Sequence, residues 1–293
     1  MDEPLIAKTP DGAKLAYEFL GSQWIGRRLP IVLVCGMSAL RGDWERLATR
    51  LAEIRPGMGD STFASPEKED DITIESLARD LVWLVASLRW QESLNNYYFF
   101  HIIPTNPQTL PFRVTHVVLA ATLCAPIWDP DKRYGLKIDT STPPRALTDD
   151  EKKAKVKPVL DGTFDTAWLE DPNNKERYQW WFNRMVVGRP SHTLSKQGRA
   201  LKRFDLSGYH DKLPRDIKFL VLAGKNDTII PYSCSEELLR RIPWAQSVGV
   251  GNSPGQIPNL AFGHHWFEYF PIQIWVDVFE NFLQGPSSAG PRL

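Results

Sequence analysis

The sequence predicts an α/β architecture, a mostly parallel central sheet flanked by helices, and three observations carry that expectation. Short aliphatic runs stand at 30–34 (Pro-Ile-Val-Leu-Val), 115–121 (Thr-His-Val-Val-Leu-Ala-Ala) and 219–222 (Phe-Leu-Val-Leu). Their length and flanking turn residues read as strands buried on both faces. Stripes at helical spacing lie among them: Trp44, Leu47, Ala48 and Leu51; Leu77, Leu81, Leu84, Val85 and Leu88; Ile274, Val278, Phe279 and Phe282. Strands alternating with helices favour parallel pairing. The third run passes through Ala-Gly into Asn226 and Asp227, which puts that carboxylate at the carboxyl edge of the sheet, where open α/β folds collect their chemistry.

Size and charge set the bounds. The chain has 293 residues, 42% hydrophobic and 24% charged, which suits a globular protein with one large domain or a domain plus an insertion. Lys+Arg and Asp+Glu stand at 35 each, so the formal net charge is zero and no global field draws the chain to nucleic acid. Residues 1–12 are acidic and polar rather than basic and then apolar, and no run approaches the ~18 apolar residues of a membrane span. A cytoplasmic protein without a transmembrane segment or a nucleic-acid partner is expected. Cys35, Cys124 and Cys234 are far apart and show no metal-ligand spacing, so free thiols and no metal are expected, and no organic cofactor is implied.

In chain order, Thr9-Pro10-Asp11-Gly12 is turn chemistry before an alternating stretch at 14–20, a hairpin strand at the sheet edge. The strand at 30–34 ends at Cys35-Gly36-Met37-Ser38, and the helix of Trp44 follows with Asp43 placed to cap it. Residues 56–61 (Pro-Gly-Met-Gly-Asp-Ser) read as a glycine-rich loop with no strand before it. The helix over 72–88 has Thr73 or Asp71 as its cap. Residues 93–103 are aromatic and β-branched and are stopped by Pro104, Pro107 and Pro111. From 128 to 212 no strand pattern appears, and a helical insertion is expected, with the charge run 149–157 as a solvated face. The segments 235–242, 247–250 and 270–283 read as a helix, a last strand and a closing helix.

Four features in this order resemble the α/β-hydrolase family, in its capped branch of small esterase and epoxide-hydrolase-like proteins. They are the strand into Cys35-Gly36-Met37-Ser38, the Gly-x-Gly-Asp-Ser loop at 57–61, the acid Asp227 after a late strand, and Gly263-His264 near the end of the chain. The resemblance spans about residues 9–285. It implies a core of 1–127 and 213–285 and a helical cap at 128–212; the end of the chain, 286–293, reads by itself as a disordered tail. It also implies hydrolysis of ester or related bonds by a triad of nucleophile, histidine and acid, acting on a small apolar substrate. Carried over residue by residue, the acid is Asp227, with Asp129 as the alternative; the base is His264, with His265 as the alternative; the oxyanion loop is Gly36 and Met37. Read alone, Asp227 is also ordinary turn chemistry and the histidines ordinary surface residues.

The chain departs from that pattern in two places. The family's Gly-x-Ser-x-Gly elbow belongs between the helix at 72–88 and the strand at 115–121, and residues 93–113 hold no glycine. The nucleophile is therefore unassigned, and neither Ser38 nor Cys35 has a visible activating partner. Gly251-Asn252-Ser253-Pro254-Gly255 matches the motif letter for letter but lies after the acid-bearing strand. Its Pro254 also lacks the N–H that an oxyanion hole needs. A strand between the helix of Leu47 and the loop at 57–61 is missing as well, so an incomplete sheet and marginal stability are expected. At most trace esterase activity follows, with a non-catalytic protein that binds a small ligand or a partner as the alternative. The aromatics Trp168, Tyr178, Trp180, Trp181 and Phe182 read first as the core of the insertion and only second as a pocket lining.

Overall fold

The computed structural model describes residues 5–10, 12, 14–34, 36, 39, 42–53, 57–59, 73–88, 92–96, 112–127, 131, 134–135, 147–187, 191–206 and 208–284. Leu5–Lys8 (β1) and Lys14–Leu20 (β2) form the expected edge hairpin, with Gly12 at φ 92° in its turn. Ile31–Leu33 (β3), Glu45–Ala52 (α1), Gly57–Gly59 (β4), Ile74–Ser87 (α2), Glu92–Asn96 (β5) and Arg113–Ala120 (β6) follow. Among the described residues four helices come next: Asp149–Asp161 (α3), Thr166–Glu170 (α4), Lys175–Val186 (α5) and Ser191–Arg203 (α6). The chain then returns to the sheet with Lys218–Leu222 (β7), Tyr232–Arg241 (α7), Gln246–Ser247 (β8), Gly249–Val250 (β9), Gln256–Ile257 (β10) and Ile272–Gln284 (α8).

Eight strands pair in the order β1-β2-β4-β3-β5-β6-β7-β8, while β9 and β10 form a separate two-stranded ribbon. From β4 to β8 every pairing is parallel; β2 joins β4 antiparallel. Gly57–Gly59 therefore corrects the reading of this stretch as a loop with no strand before it. It pairs with β2 on one side and β3 on the other, so its conformation is set by two neighbouring strands rather than by glycine's own low strand propensity. The sheet keeps its strand order but is thin here, since β3 and β4 have three residues each.

Side chains alternate across the sheet as the two-residue strand period requires. Val117, Leu119, Phe219 and Val221 face one hydrophobic core with α2 and α7, while Val118, Leu220 and Leu222 face another with α1 and α8. Thr73 opens α2 with a reciprocal cap: its hydroxyl accepts from Ser76 N–H at 3.0 Å and its own N–H donates to the Ser76 hydroxyl at 3.1 Å. Such a cap contributes about 1 kcal/mol. Asp43, expected to cap α1, stands one residue before the N-cap position. Trp44 stands at that helix start without a side-chain bond, and Asp43 instead accepts from Arg184 Nε of α5 at 2.6 Å.

The insertion is helical, as expected, and its charge run lies on the exposed face of α3 with Lys152 paired to Asp149. Trp168 and Trp181 are buried, and Tyr178, Trp180 and Phe182 pack partly buried in the same core as α1 and α8. These aromatics are thus mainly core. Cys124 and Cys234 are free thiols, and burial pushes the Cys234 thiol up to about 11, with Cys124, Glu237 and Asp227 adding to it. Among the described residues no helix is long and apolar enough to cross a membrane.

Candidate active site

Two loops at the carboxyl side of the sheet build the site. The first leaves β7 as Ala223-Gly224-Lys225-Asn226-Asp227; the second is the stretch from Leu260 to Tyr269. They lie backbone against backbone: Lys225 N–H donates to Leu260 O at 2.7 Å and Asn226 N–H to Phe262 O at 3.2 Å. Gly224 permits this approach, and Gly263 permits a second one, of the histidine loop to the insertion. A β-carbon on Gly224 would collide with the Phe262 carbonyl, and one on Gly263 would stand 2.8 Å from Thr163 O and 2.9 Å from the Tyr269 hydroxyl oxygen.

The approach brings Asp227 to His264. The Asp227 side chain is fully buried, and both of its oxygens are engaged. Oδ1 accepts from the N–H groups of Ile229 at 2.8 Å and Ile230 at 2.9 Å, which turns the chain back and fixes the carboxylate plane. Oδ2 lies 2.9 Å from His264 Nδ1. A carboxylate only accepts, so Nδ1 carries the hydrogen at this contact, and the tautomer with that hydrogen leaves its lone pair on the other ring nitrogen. The His264 side chain keeps 28% of its surface accessible. A buried acceptor holding a reachable ring in one tautomer is the geometry of a general base.

His265, the adjacent alternative, is built differently. Its ring stacks on Trp181 at 4.4 Å between centroids and meets Phe164 edge-on at 5.1 Å. The Thr163 hydroxyl donates to Leu160 O, so His265 Nδ1, 3.3 Å from that hydroxyl, donates to it. Burial first, then the His264 ring and the Arg177 guanidinium, push the His265 pKa down to about 3. No carboxylate is bonded to it among the described contacts, and its surroundings keep it neutral.

One further residue was missed from sequence. Glu268 lies in the short 3₁₀ turn Trp266–Glu268, with a fully inaccessible side chain. Its carboxylate accepts from Arg177 Nε and Nη2, the shortest contact being 2.6 Å, from Arg46 Nη1 at 2.7 Å and from Trp181 Nε1 at 3.0 Å. The available signal was a lone acid inside Trp266-Phe267-Glu268-Tyr269-Phe270, since a carboxylate among aromatics needs a cation.

Among the described residues nothing lies within 4 Å of where a β-carbon on Gly36 would stand. Cys35, Met37, Ser38, Asp129 and the interval 97–111 lie outside the described residues. Gly251–Gly255 joins β9 to β10 as an exposed turn in which Ser253 N–H donates to Gln256 Oε1, not as a strand-to-helix elbow. Among the described residues no three His, Cys, Asp or Glu side chains gather as a metal would require.

No protein-family model matches the chain, and no curated protein sequence matches it. Solved structures do. An esterase, RhEst1, from Rhodococcus sp. ECU1013 superposes with a TM-score of 0.70 at 18% identity, covering 98% of this chain and 100% of its own. An enol-lactonase from Burkholderia xenovorans LB400 gives 0.70 at 17% identity over 96% and 100% of the two chains. A hydrolase from Pseudomonas aeruginosa PA01 gives 0.69 at 20% identity over 96% and 98%. With its eight-stranded order and its helical insertion between β6 and β7, the chain has the α/β-hydrolase fold.

Proposed function

We propose that Asp227 and His264 are the acid and base of a hydrolase triad whose lineage cleaves ester or related acyl bonds of small apolar molecules. The observation that carries this reading is the Asp227–His264 hydrogen bond, with the carboxylate pinned by two backbone N–H groups on its other oxygen. The likeness to an esterase and an enol-lactonase supports the reaction class. In that reaction His264 Nε2 takes the proton of a hydroxyl nucleophile as its oxygen attacks the acyl carbon, and Asp227 stabilises the imidazolium that forms. The same nitrogen then returns the proton to the departing alkoxide, and water releases the acyl group by the reverse proton path. Backbone N–H groups at Gly36 and Met37 are the proposed donors to the oxyanion.

A second reading rests on a specific feature, the absence of glycine from 93–113, where the elbow belongs. On that reading the scaffold binds a small apolar ligand or a partner without turnover. Because the aligned nucleophile is gone, this chain turns over an ester at a trace rate at most. A fluorophosphonate probe, with the adduct located by mass, decides between the readings. One labelled serine names a recruited nucleophile and supports the hydrolase, provided that labelling and turnover of a short-chain aryl ester are both lost in His264→Ala. A folded protein that takes no label supports binding alone, and turnover that survives His264→Ala removes His264 from the role of base.

A further inference from the structure

The segment after His264 is clasped by the insertion at every turn. His265 N–H donates to Thr163 O at 3.3 Å, its ring nitrogen donates to the Thr163 hydroxyl, and its ring is sandwiched against Trp181. Trp181 is oriented in turn by the bond from its indole N–H to Glu268, and Arg177 of the same helix grips Glu268 through a planar fork while lying 3.8 Å over Trp180. Arg46 of α1 completes the site from the core side. One buried carboxylate, four residues after His264, thus joins α1, α5 and the histidine loop. A buried ion cluster of this kind is weak evidence for stability, since packed apolar side chains hold a core as well; its best use is to select one register.

From this we propose that Glu268 is a positioning residue, through which the insertion holds the His264 imidazole in line with Asp227. Glu268 does not touch the reacting atoms. It holds Trp181 through the indole N–H and holds the same helix through Arg177, Trp181 stacks on His265, and His265 fixes the backbone from which His264 reaches Asp227. The proposal rests on the reading of His264 as the base, and its test does not depend on turnover.

The measurement is the imidazole Nδ1–H proton of His264, followed by NMR and by its exchange with solvent in the full chain. In Glu268→Gln the proton should exchange roughly tenfold faster than in the parent, because the loop now samples positions in which the bond to Asp227 is open. Asp43→Asn, which removes the charge that pairs with Arg184 of α5, should leave the exchange unchanged. Should Glu268→Gln fail to fold, Arg177→Lys keeps the charge but removes the fork, and roughly threefold faster exchange is expected. Parent-like exchange in a folded Glu268→Gln or Arg177→Lys overturns the proposal, as does an equal acceleration in Asp43→Asn. Absence of ester turnover in the parent would count against the hydrolase reading and leave this result standing.

Discussion

A β-carbon on Gly224 would lie 1.8 Å from the carbonyl oxygen of Phe262, far inside any allowed contact. The loop carrying Asp227 and the loop carrying His264 therefore meet through bare backbone, and the hydrogen bond between those side chains depends on a position where no side chain fits. The obstacle is a carbonyl rather than the end of a flexible side chain, so one loop must move.

Gly224→Ala should cost about 3 kcal/mol or more, since overpacking against backbone cannot be relieved by a rotamer change. It should also break the Asp227–His264 bond, because the loops that carry the two side chains are forced apart. Urea unfolding followed by tryptophan fluorescence measures the first effect. A midpoint equal to the parent's would mean that the two loops are not in the contact described.

His265 gives a pH dependence with a definite sign. Its folded pKa is pushed down to about 3, against an ordinary value of 6.5. Above pH 6.5 the ring is neutral in both states and contributes no slope. As pH falls from 6.5 toward 3, the unfolded chain takes a proton that the folded chain refuses, and stability declines at up to about 1.4 kcal/mol per pH unit. His265→Phe, which keeps an aromatic ring on Trp181 and Phe164, should flatten that limb. Equal slopes for parent and variant between pH 6 and 4 would show that the ring is not kept neutral.

The parts of this molecule legible in its sequence are those decided locally. The stripe from Leu77 to Leu88 with Thr73 ahead of it specifies α2, and the aliphatic run at 219–222 with Gly224 and Asp227 after it specifies β7 and its turn. What was illegible depends on distant partners. Asp43 looks like a cap because its partner Arg184 stands 141 residues away. Gly57–Gly59 looks like a loop because the strands that make it a strand lie on either side of it in space. Glu268 could be suspected only from its aromatic surroundings, while Arg46 and Arg177 carry no mark that would assign them to it.

The thin part of the sheet has a packing consequence. An apolar cavity lies between the sheet and the helices α1 and α8, bordered by Leu33, Leu47, Val118, Ala120, Trp266 and Phe279. Missing apolar volume there costs contacts on every lining side chain. Ala120→Val, which adds two methyl groups on a strand position, should stabilise the protein by about 0.5–1 kcal/mol. The thermal midpoint measures it, and a lower midpoint would show that the space is already filled.

Asp227→Asn separates shape from charge at the site. The amide oxygen can still accept from the N–H groups of Ile229 and Ile230, so the turn survives and the loss in stability should stay near 1–2 kcal/mol. The amide nitrogen then faces His264 Nδ1, where a donor has replaced an acceptor. Two donors cannot share that contact, so the imidazole has to move its hydrogen to Nε2 and accept through Nδ1. The lone pair through which His264 would act as a base is then turned inward, and any ester turnover present in the parent should be lost. Nitrogen-15 chemical shifts of the ring distinguish the two tautomers directly. A variant that keeps its hydrogen on Nδ1 would show that Asp227 does not set the tautomer, and the pair would then lose its claim to act as acid and base.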